Sequence, residues 1–269
     1  MAETESAAPP LVEMSGVSLA YGRGKEQTLA LADATMDIGK GEFIAVVGPS
    51  GCGKSTLMKL VTGLLPATSG TVKVHGEVVK RPIKGVGMAF QNATLMPWRT
   101  TRDNILLPLE VVEPHKRRFR SNKAEYVERV EKLLASVGLG GFGSKYPWQL
   151  SGGMQQRVSI CRALVHDPKI VLMDEPFGAL DAMTRERMNV ELQRIQRETK
   201  KTVLLITHSI TEAVFLADRV LVMTARPGAI DAVYPVPLPR PRSLDVMADP
   251  VFIELTQTIR RHFSDPKLD

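Results

Sequence analysis

The stretch Gly48-Pro49-Ser50-Gly51-Cys52-Gly53-Lys54-Ser55-Thr56 decides the fold class of this 269-residue chain. It fits the pattern G-x-x-x-x-G-K-[ST], in which a glycine-rich loop turns its backbone N–H groups toward phosphate. An apolar run with strand character, residues 42–47, precedes the loop, and residues 56–61 follow it with helical spacing. A strand, this loop and a helix in that order predict a nucleotide site. A glycine-rich turn that matches by chance is the alternative.

Two side chains at the end of the loop have predicted roles. Lys54 is expected to reach the β- and γ-phosphates, and the N-terminus of the helix that it begins attracts anions. The Ser55 hydroxyl is expected to bind Mg²⁺, which prefers oxygen ligands and phosphates.

An acidic pair, Asp174 and Glu175, ends the continuous apolar run at residues 170–173. Such a run predicts a parallel strand that is buried on both faces. Open α/β sheets bind ligands at the carboxyl ends of their strands, so Asp174 is placed to hold Mg²⁺. Glu175 is the better candidate for a general base. The alternative is a strand end with two solvated acids.

A second helix start of the anion-binding type is predicted at Leu150-Ser151-Gly152-Gly153-Met154-Gln155-Gln156-Arg157. Ser151 can cap the helix, and the two glycines leave room for an anion at its N-terminus. An ordinary helix start would look the same, and physical argument alone leaves both interpretations open.

These motifs, in this order and with Thr207-His208 after them, closely resemble the ATP-binding cassette (ABC) ATPases over residues 12–226. The resemblance implies an α/β fold: a P-loop nucleotide-binding domain with a helical signature subdomain. It implies a disordered N-terminus at residues 1–11, an ATPase domain at 12–225 with its helical part at about 92–165, and a Pro-rich segment with a C-terminal helix at 226–269.

The same resemblance implies roles for single residues around ATP and Mg²⁺. Tyr21 would stack on adenine, Gln91 would touch Mg²⁺ and the attacking water, and His208 would contact the γ-phosphate. The whole loop at 48–56 would bind nucleotide. Further contacts would come from the signature stretch and from the loop that crosses to a partner subunit, namely Ser151, Gly152, Gly153, Gln155 and Asp181.

In this family two copies pack head to tail, and the signature of one copy closes over ATP that is bound by the other. The expected assembly is therefore a homodimer with two permease subunits and an external substrate-binding protein. In importers of this family the region that contains Leu95-Met96-Pro97-Trp98 forms the groove that receives a cytoplasmic helix of the permease. Together with residues 175–181 and the tail at residues 238–242, this stretch is similar to the ATPases of importers for nitrate, taurine, sulfonates and pyrimidine precursors. Local packing is the alternative role of these apolar residues. An exporter ATPase, or a soluble ABC ATPase that acts on nucleic acid or ribosomes, is the alternative function.

Composition predicts a cytoplasmic chain that meets the inner membrane only through its permease. No apolar run approaches the roughly 18 residues of a membrane helix, and residues 1–10 lack a signal pattern. The formal net charge is +6, and its densest run, residues 115–120, is expected to be a solvated surface loop. Contact with lipid headgroups or nucleic acid is the alternative role of this run.

The two cysteines, Cys52 and Cys161, show neither a disulfide nor a metal spacing. A helix N-terminus lowers a thiol pKa, so Cys52 is expected to react with thiol reagents. Labelling at Cys52 should inhibit ATP hydrolysis, and ATP should protect. The five histidines are scattered along the chain, which argues against a transition-metal site.

Overall fold

The computed structural model describes residues 9–22, 27–178, 180–224 and 227–263. Within these residues the strands are β1 (Val12–Tyr21), β2 (Thr28–Ile38), β3 (Phe43–Val47), β4 (Ser69–Val74), β5 (Glu77–Val78), β6 (Val86–Ala89), β7 (Ile170–Asp174), β8 (Thr202–Ile206), β9 (Arg219–Met223) and β10 (Ile230–Pro235). The helices are α1 (Lys54–Val61), α2 (Thr101–Val111), α3 (His115–Arg118), α4 (Lys123–Ser136), α5 (Gly152–Leu164), α6 (Ala182–Thr199), α7 (Ile210–Leu216) and α8 (Pro250–Phe263). None of these helices combines the length and the apolar character that crossing a membrane requires.

The central sheet has six strands in the order β10-β9-β3-β8-β7-β6. The five strands from β9 to β6 are parallel, with β6 at one edge, and β10 pairs antiparallel with β9 at the other edge. Every residue of β3, β7 and β8 is buried, as their continuous apolar runs predict. Because these strands are parallel, their carboxyl ends meet at one edge of the sheet.

The two faces of the central sheet pack into two separate hydrophobic cores. Ala45 and Val47 of β3 pack in the core on the side of the long helices. Ile44 and Val46, between them, pack in the core that α1 and the second sheet cover. The second sheet is antiparallel, in the order β2-β1-β4-β5. The predicted α/β fold is confirmed.

Helices α2 to α5 occupy the segment that the sequence predicts to be helix-rich, residues 92–165. The division into domains stays a prediction: residues 1–8 and the boundary at 225 and 226 lie outside the described residues. Leu11, assigned from the sequence to the disordered N-terminus, is buried and donates its N–H to the Ile38 carbonyl at 2.7 Å.

The basic run at residues 115–120 was expected to be a solvated loop, but it begins with the one-turn helix α3. The side chains of residues 116–118 are exposed. His115 instead turns inward, where Nδ1 lies 3.1 Å from the Tyr126 hydroxyl and Nε2 lies 3.1 Å from the His166 carbonyl. The basic run is therefore held to the protein at its N-terminal end by His115, whereas residues 116–118 are exposed.

The Pro-rich tail is part of the fold. It supplies β10, and α8 spans Pro250–Phe263, the residues predicted for a final amphipathic helix. Arg242 is 3% exposed, and its Nη1 donates to the carbonyls of Val214, Phe215 and Ala217 at 2.8–3.0 Å. These carbonyls end α7, so the tail satisfies acceptors that the helix itself leaves open.

Candidate active site

The glycine-rich loop leads directly from β3 into α1. Gly53 precedes the helix with φ +98°, a conformation that favours glycine, and a Cβ there would lie 3.0 Å from the Ala30 carbonyl. Lys54 is 6% exposed, and its ammonium donates to the carbonyls of Gly48 and Pro49, both at 2.8 Å. The side chain of Lys54 therefore reaches back across the loop that is predicted to bind phosphate.

Cys52 departs from the sequence-based expectation. Its side chain is buried against the loop, 1% exposed, and a Cβ on Gly48 would lie 2.9 Å from its sulfur. Burial raises the pKa of the Cys52 thiol, and this outweighs the opposing charge of Lys54. The expectation of a lowered pKa was wrong because it counted the helix N-terminus and left out desolvation.

Three strand ends bring Gln91, Glu175 and His208 together. Gln91 follows β6, and its Nε2 donates to Glu175 Oε2 at 3.1 Å. His208 follows β8, and its Nε2 lies 2.6 Å from Glu175 Oε1. Glu175 itself directly follows β7 with φ +48°, and its N–H donates to the Ile206 carbonyl at 2.8 Å. Both carboxylate oxygens of Glu175 are thus held from neighbouring strands.

A cleft of about 390 Å³ joins this carboxylate to the glycine-rich loop. Its lining contains ten of the predicted site residues, namely Tyr21, Ser50, Gly51, Gly53, Lys54, Ser55, Thr56, Gln91, Glu175 and His208. It also contains Ala30, which the sequence did not predict. The other nine predicted site residues lie outside this lining, namely Gly48, Pro49, Cys52, Asp174, Ser151, Gly152, Gly153, Gln155 and Asp181.

Tyr21 is the last residue of β1 and lines the cleft. Its side chain is 45% exposed, and its hydroxyl lies 3.3 Å from Thr56 Oγ1 at the start of α1. The hydroxyl contact orients the ring, and the exposure leaves an aromatic face accessible to a planar group.

Oxygen donors suited to Mg²⁺ are found at three neighbouring element ends. Ser55 lies in the first turn of α1, Asp174 ends β7 at 8% exposure, and Gln91 keeps its amide oxygen free because Nε2 makes the bond to Glu175. Hydroxyl, carboxylate and amide oxygens fit a hard cation that also binds phosphates. The described ranges hold no cluster of three His, Cys, Asp or Glu side chains that could bind a metal by itself.

The second predicted anion site lies at the start of α5. Ser151 caps the helix, as predicted, by accepting the N–H of Met154 at 3.3 Å. Ser151 and Gly152 are exposed. Gln155 has an internal role, since its Nε2 donates to the carbonyls of Pro147 and Leu150 in the turn that leads into the helix.

Asp181 begins α6 as its N-terminal cap. Its carboxylate accepts the N–H of Thr184 at 2.9 Å, and this hydrogen bond lowers the pKa of Asp181. Asp181 is exposed, and Ala179, two residues before it, lies outside the described residues. The predicted contacts of Asp181 and of the signature with nucleotide stay predictions.

Two further residues support the site and were missed in the sequence. Gln156 is 2% exposed and donates to the Phe90 carbonyl at 2.9 Å, which ties the signature helix to the residue before Gln91. Glu212 is 5% exposed and accepts the hydroxyl of Thr207, next to His208. The available signal for Glu212 was a lone acid within α7, whose other residues are apolar except for Thr211.

The chain matches known proteins over most of its length. A family model described as ABC transporter matches residues 31–178. The aliphatic sulfonates import ATP-binding protein SsuB of Bacillus licheniformis is 43% identical over 244 residues, 91% of each chain. The nitrate import ATP-binding protein NrtD of Synechococcus elongatus is 45% identical over 229 residues, 84% of this chain and 82% of its own. A dimeric post-hydrolysis structure of the ATP-binding cassette MJ0796 with ADP and Pi superposes with a TM-score of 0.72, at 30% identity, over 84% of this chain and 98% of that one.

Proposed function

We propose, since this chain belongs to the ABC transporter family, that it hydrolyses ATP to drive the import of a small solute through a separate permease. One observation carries the proposal: the cleft joins the phosphate loop to a carboxylate clamped between Gln91 and His208. The relatives at 43% and 45% identity are named as import ATP-binding proteins for sulfonates and nitrate. A solute of that class is the proposed cargo.

The proposed reaction is phosphoryl transfer from ATP to water, in which catalysis is mostly positioning and charge stabilisation. Glu175 accepts a proton from the attacking water, and Gln91 and His208 hold its carboxylate in place. Lys54 and the loop N–H groups stabilise the charge on the transferred phosphoryl group. Ser55, Gln91 and Asp174 would hold Mg²⁺, which would neutralise phosphate charge when bound.

A complete site is proposed to need two copies of the chain. Ser151 and Gly152 are exposed at the start of α5, and within the described residues the cleft lining includes neither. A second copy packed head to tail would bring this helix start over the nucleotide, where its N–H groups suit an anion. The structurally similar MJ0796 cassette is a dimer with ADP and Pi.

Permease docking is proposed at the surface around Trp98. Leu95 packs against the core, which satisfies the local-packing interpretation for that residue, but Trp98 is 72% exposed. Trp148 is 66% exposed and stacks on Tyr146 with ring centres 4.5 Å apart. Thr101 N–H donates to the Lys145 carbonyl at 2.7 Å, so the two aromatic segments are neighbours. Exposed aromatic anchors suit an amphipathic helix.

The deciding experiment is co-expression with the nearest-encoded permease, purification in lipid, and ATPase measurement with a loaded external binding protein. We expect a complex on the cytoplasmic face and stimulation by the loaded binding protein. Trp98→Ala should lose co-purification with the permease, whereas the control Val251→Ala, at another exposed apolar residue, should keep it. Robust hydrolysis without permease association, raised by nucleic acid or ribosomes, would contradict the proposal. Outward movement of the solute would favour an exporter.

A further inference from the structure

A buried carboxyl lies behind the strand end that carries His208. Glu212 belongs to the first turn of α7 and is 5% exposed, and its Oε2 accepts the hydroxyl of Thr207. Thr207 is 3% exposed and directly precedes His208. His208 in turn lies 2.6 Å from Glu175, measured from Nε2 to Oε1. Through Thr207, α7 is therefore linked to the residue that contacts the proposed general base.

Helix capping does not account for the direction of the Glu212 side chain. Ser209 is the N-terminal cap of α7 and accepts the N–H of Glu212 at 3.2 Å, and the spacing Ser-x-x-Glu fits a capping box. In such a box the glutamate would accept the N–H of Ser209. That N–H instead donates to Thr207 Oγ1 at 3.0 Å, and the glutamate accepts the hydroxyl of Thr207. The Thr207 hydroxyl is thus held by two hydrogen bonds from α7 and its cap.

Stability alone does not explain a carboxyl at this position. Residues 213–216 of α7 are buried and apolar. Oε1 of Glu212 is buried and has no hydrogen-bond partner within the described residues, whereas buried polar atoms are normally paired. Burial raises the pKa of Glu212 to about 7, and the charge of Glu175 adds to this rise. An acid that is costly to bury and only half paired points to a role beyond packing.

The contacts of Thr207 decide where the His208 ring lies. The N–H of Thr207 donates to the Val46 carbonyl of β3 at 3.2 Å, and its hydroxyl is bound to α7. Thr207 is therefore fixed to two elements at once. The side chain of His208, the next residue, is 45% exposed, so packing constrains it weakly. Its direction toward Glu175 depends on the backbone that Thr207 holds.

We propose that Glu212 is a positioning residue for ATP hydrolysis, because it fixes the Thr207 hydroxyl and thereby the place where His208 meets Glu175. The site then needs a hydrogen-bond acceptor from Glu212, and the amide oxygen of glutamine supplies one, whereas leucine does not. The inference rests on the proposed function, in which Glu175 is the general base and His208 holds its carboxylate.

The first measurement is steady-state ATP hydrolysis by the full chain with Mg²⁺. Glu212→Leu and Thr207→Val remove the two ends of one hydrogen bond, and each should lower kcat between about tenfold and 100-fold, since small misplacements cost rates on that scale. KM for ATP should stay within about twofold, because the phosphate loop is unchanged. Glu212→Gln and Thr207→Ser keep the acceptor and the hydroxyl, and should stay within about threefold of the wild-type kcat.

Combining Glu212→Leu with Thr207→Val tests whether the two residues act together. Both substitutions break the same hydrogen bond, so the double variant should be no slower than the slower single variant. Losses that multiply in the double variant would overturn the proposal, because Glu212 would then act without Thr207.

The matched control is Thr202→Val, at the other end of β8. Thr202 is 1% exposed, and its hydroxyl accepts the N–H of Gly41 at 2.8 Å. This variant therefore also removes a buried, hydrogen-bonded threonine hydroxyl. Unfolding in urea should show that both valine variants lose stability, but only Thr207→Val should lose kcat. Equal kcat values for the two valine variants would overturn the proposal.

NMR of ¹⁵N-histidine-labelled protein without ATP measures the position of the ring itself. The His208 ring signal, assigned by its absence in His208→Ala, should shift in Thr207→Val and Glu212→Leu and stay unchanged in Thr202→Val. An unchanged His208 signal in the first two variants would overturn the proposal. This measurement does not depend on turnover. A wild-type protein without ATPase activity would contradict the proposed function, whereas the ring signal would still decide whether Glu212 positions His208.

Discussion

His208 Nε2 lies 2.6 Å from Glu175 Oε1, and the other oxygen of the same carboxylate accepts from Gln91 at 3.1 Å. The three residues follow β8, β7 and β6, which are adjacent in the sheet. The proposed role of Glu175 as general base needs a fixed direction toward water, and two partners on two strands hold its carboxylate in one direction.

Glu175→Gln is therefore expected to slow ATP hydrolysis by about 100-fold or more, since general-base catalysis contributes on that scale. The amide keeps the size of the side chain but cannot accept the proton. ATP binding should persist and leave a trapped dimer, measured by nucleotide binding and light scattering. Turnover near the wild-type rate would remove Glu175 from the role of base.

Cys52 is expected to resist thiol reagents in the native protein at pH 7. Its thiol is 1% exposed and its pKa is raised, and the pKa of Cys161 is raised by burial to about 12. Only the thiolate is nucleophilic, so labelling should be slow at both sites. The measurement is the rate of thiol labelling, with urea-unfolded protein as the control in which both cysteines react. Rapid inactivation that ATP prevents would contradict this prediction.

The loop, the strands and the acidic pair were predictable because each depends on local chemistry. A glycine-rich turn needs glycines such as Gly53, and a strand buried on both faces, such as β7, reads as a continuous apolar run. The pKa of Cys52 was not predictable, because Cys52 is buried in a core cluster that also contains residues far away in the chain, such as Met223. Glu212 was missed for the same reason: its neighbours are set by tertiary packing.

Glu212→Gln is expected to change how stability depends on pH. Burial raises the pKa of Glu212 from 4.5 to about 7. Between pH 4.5 and about pH 7, the carboxyl of Glu212 is therefore protonated in the folded protein and ionised in the unfolded protein. Its contribution to stability is present below pH 4.5 and is lost as pH rises through 7, by about 3 kcal/mol. The side chain of glutamine does not titrate, so the Glu212→Gln variant lacks this dependence of stability on pH.

The measurement for Glu212 is the free energy of unfolding in urea at several pH values for both proteins. The Gln variant should gain relative to wild type between pH 4.5 and pH 8. His166, with a pKa lowered to about 4, acts in the opposite direction in both proteins and cancels in the comparison. A difference between the two proteins that does not change with pH would show that Glu212 titrates normally.

Arg242→Ala is expected to destabilise the fold through the tail. Truncation leaves the carbonyls of Val214, Phe215 and Ala217 without this donor, at a cost of about 3 kcal/mol or more in total. Unfolding in urea measures the loss. The control is Arg187→Ala, an exposed arginine on α6 that should change stability by less than about 0.5 kcal/mol. Equal stability of the two variants would show that the tail does not support α7.

Mixing two inactive variants tests the shared site directly. Lys54→Ala damages the phosphate loop and Ser151→Arg blocks the start of α5, so each homodimer should be inactive. In a head-to-tail heterodimer, the intact loop of the Ser151→Arg chain faces the intact α5 of the Lys54→Ala chain. One of the two sites is then whole. With random pairing, half of the dimers are mixed and each has one working site, so activity of up to about a quarter of wild type should return on mixing. The assay is ATP hydrolysis at equal total protein, with each variant alone as control. If both halves of the site belonged to one chain, every site in the mixture would keep one defect and the activity would stay at the level of the separate variants.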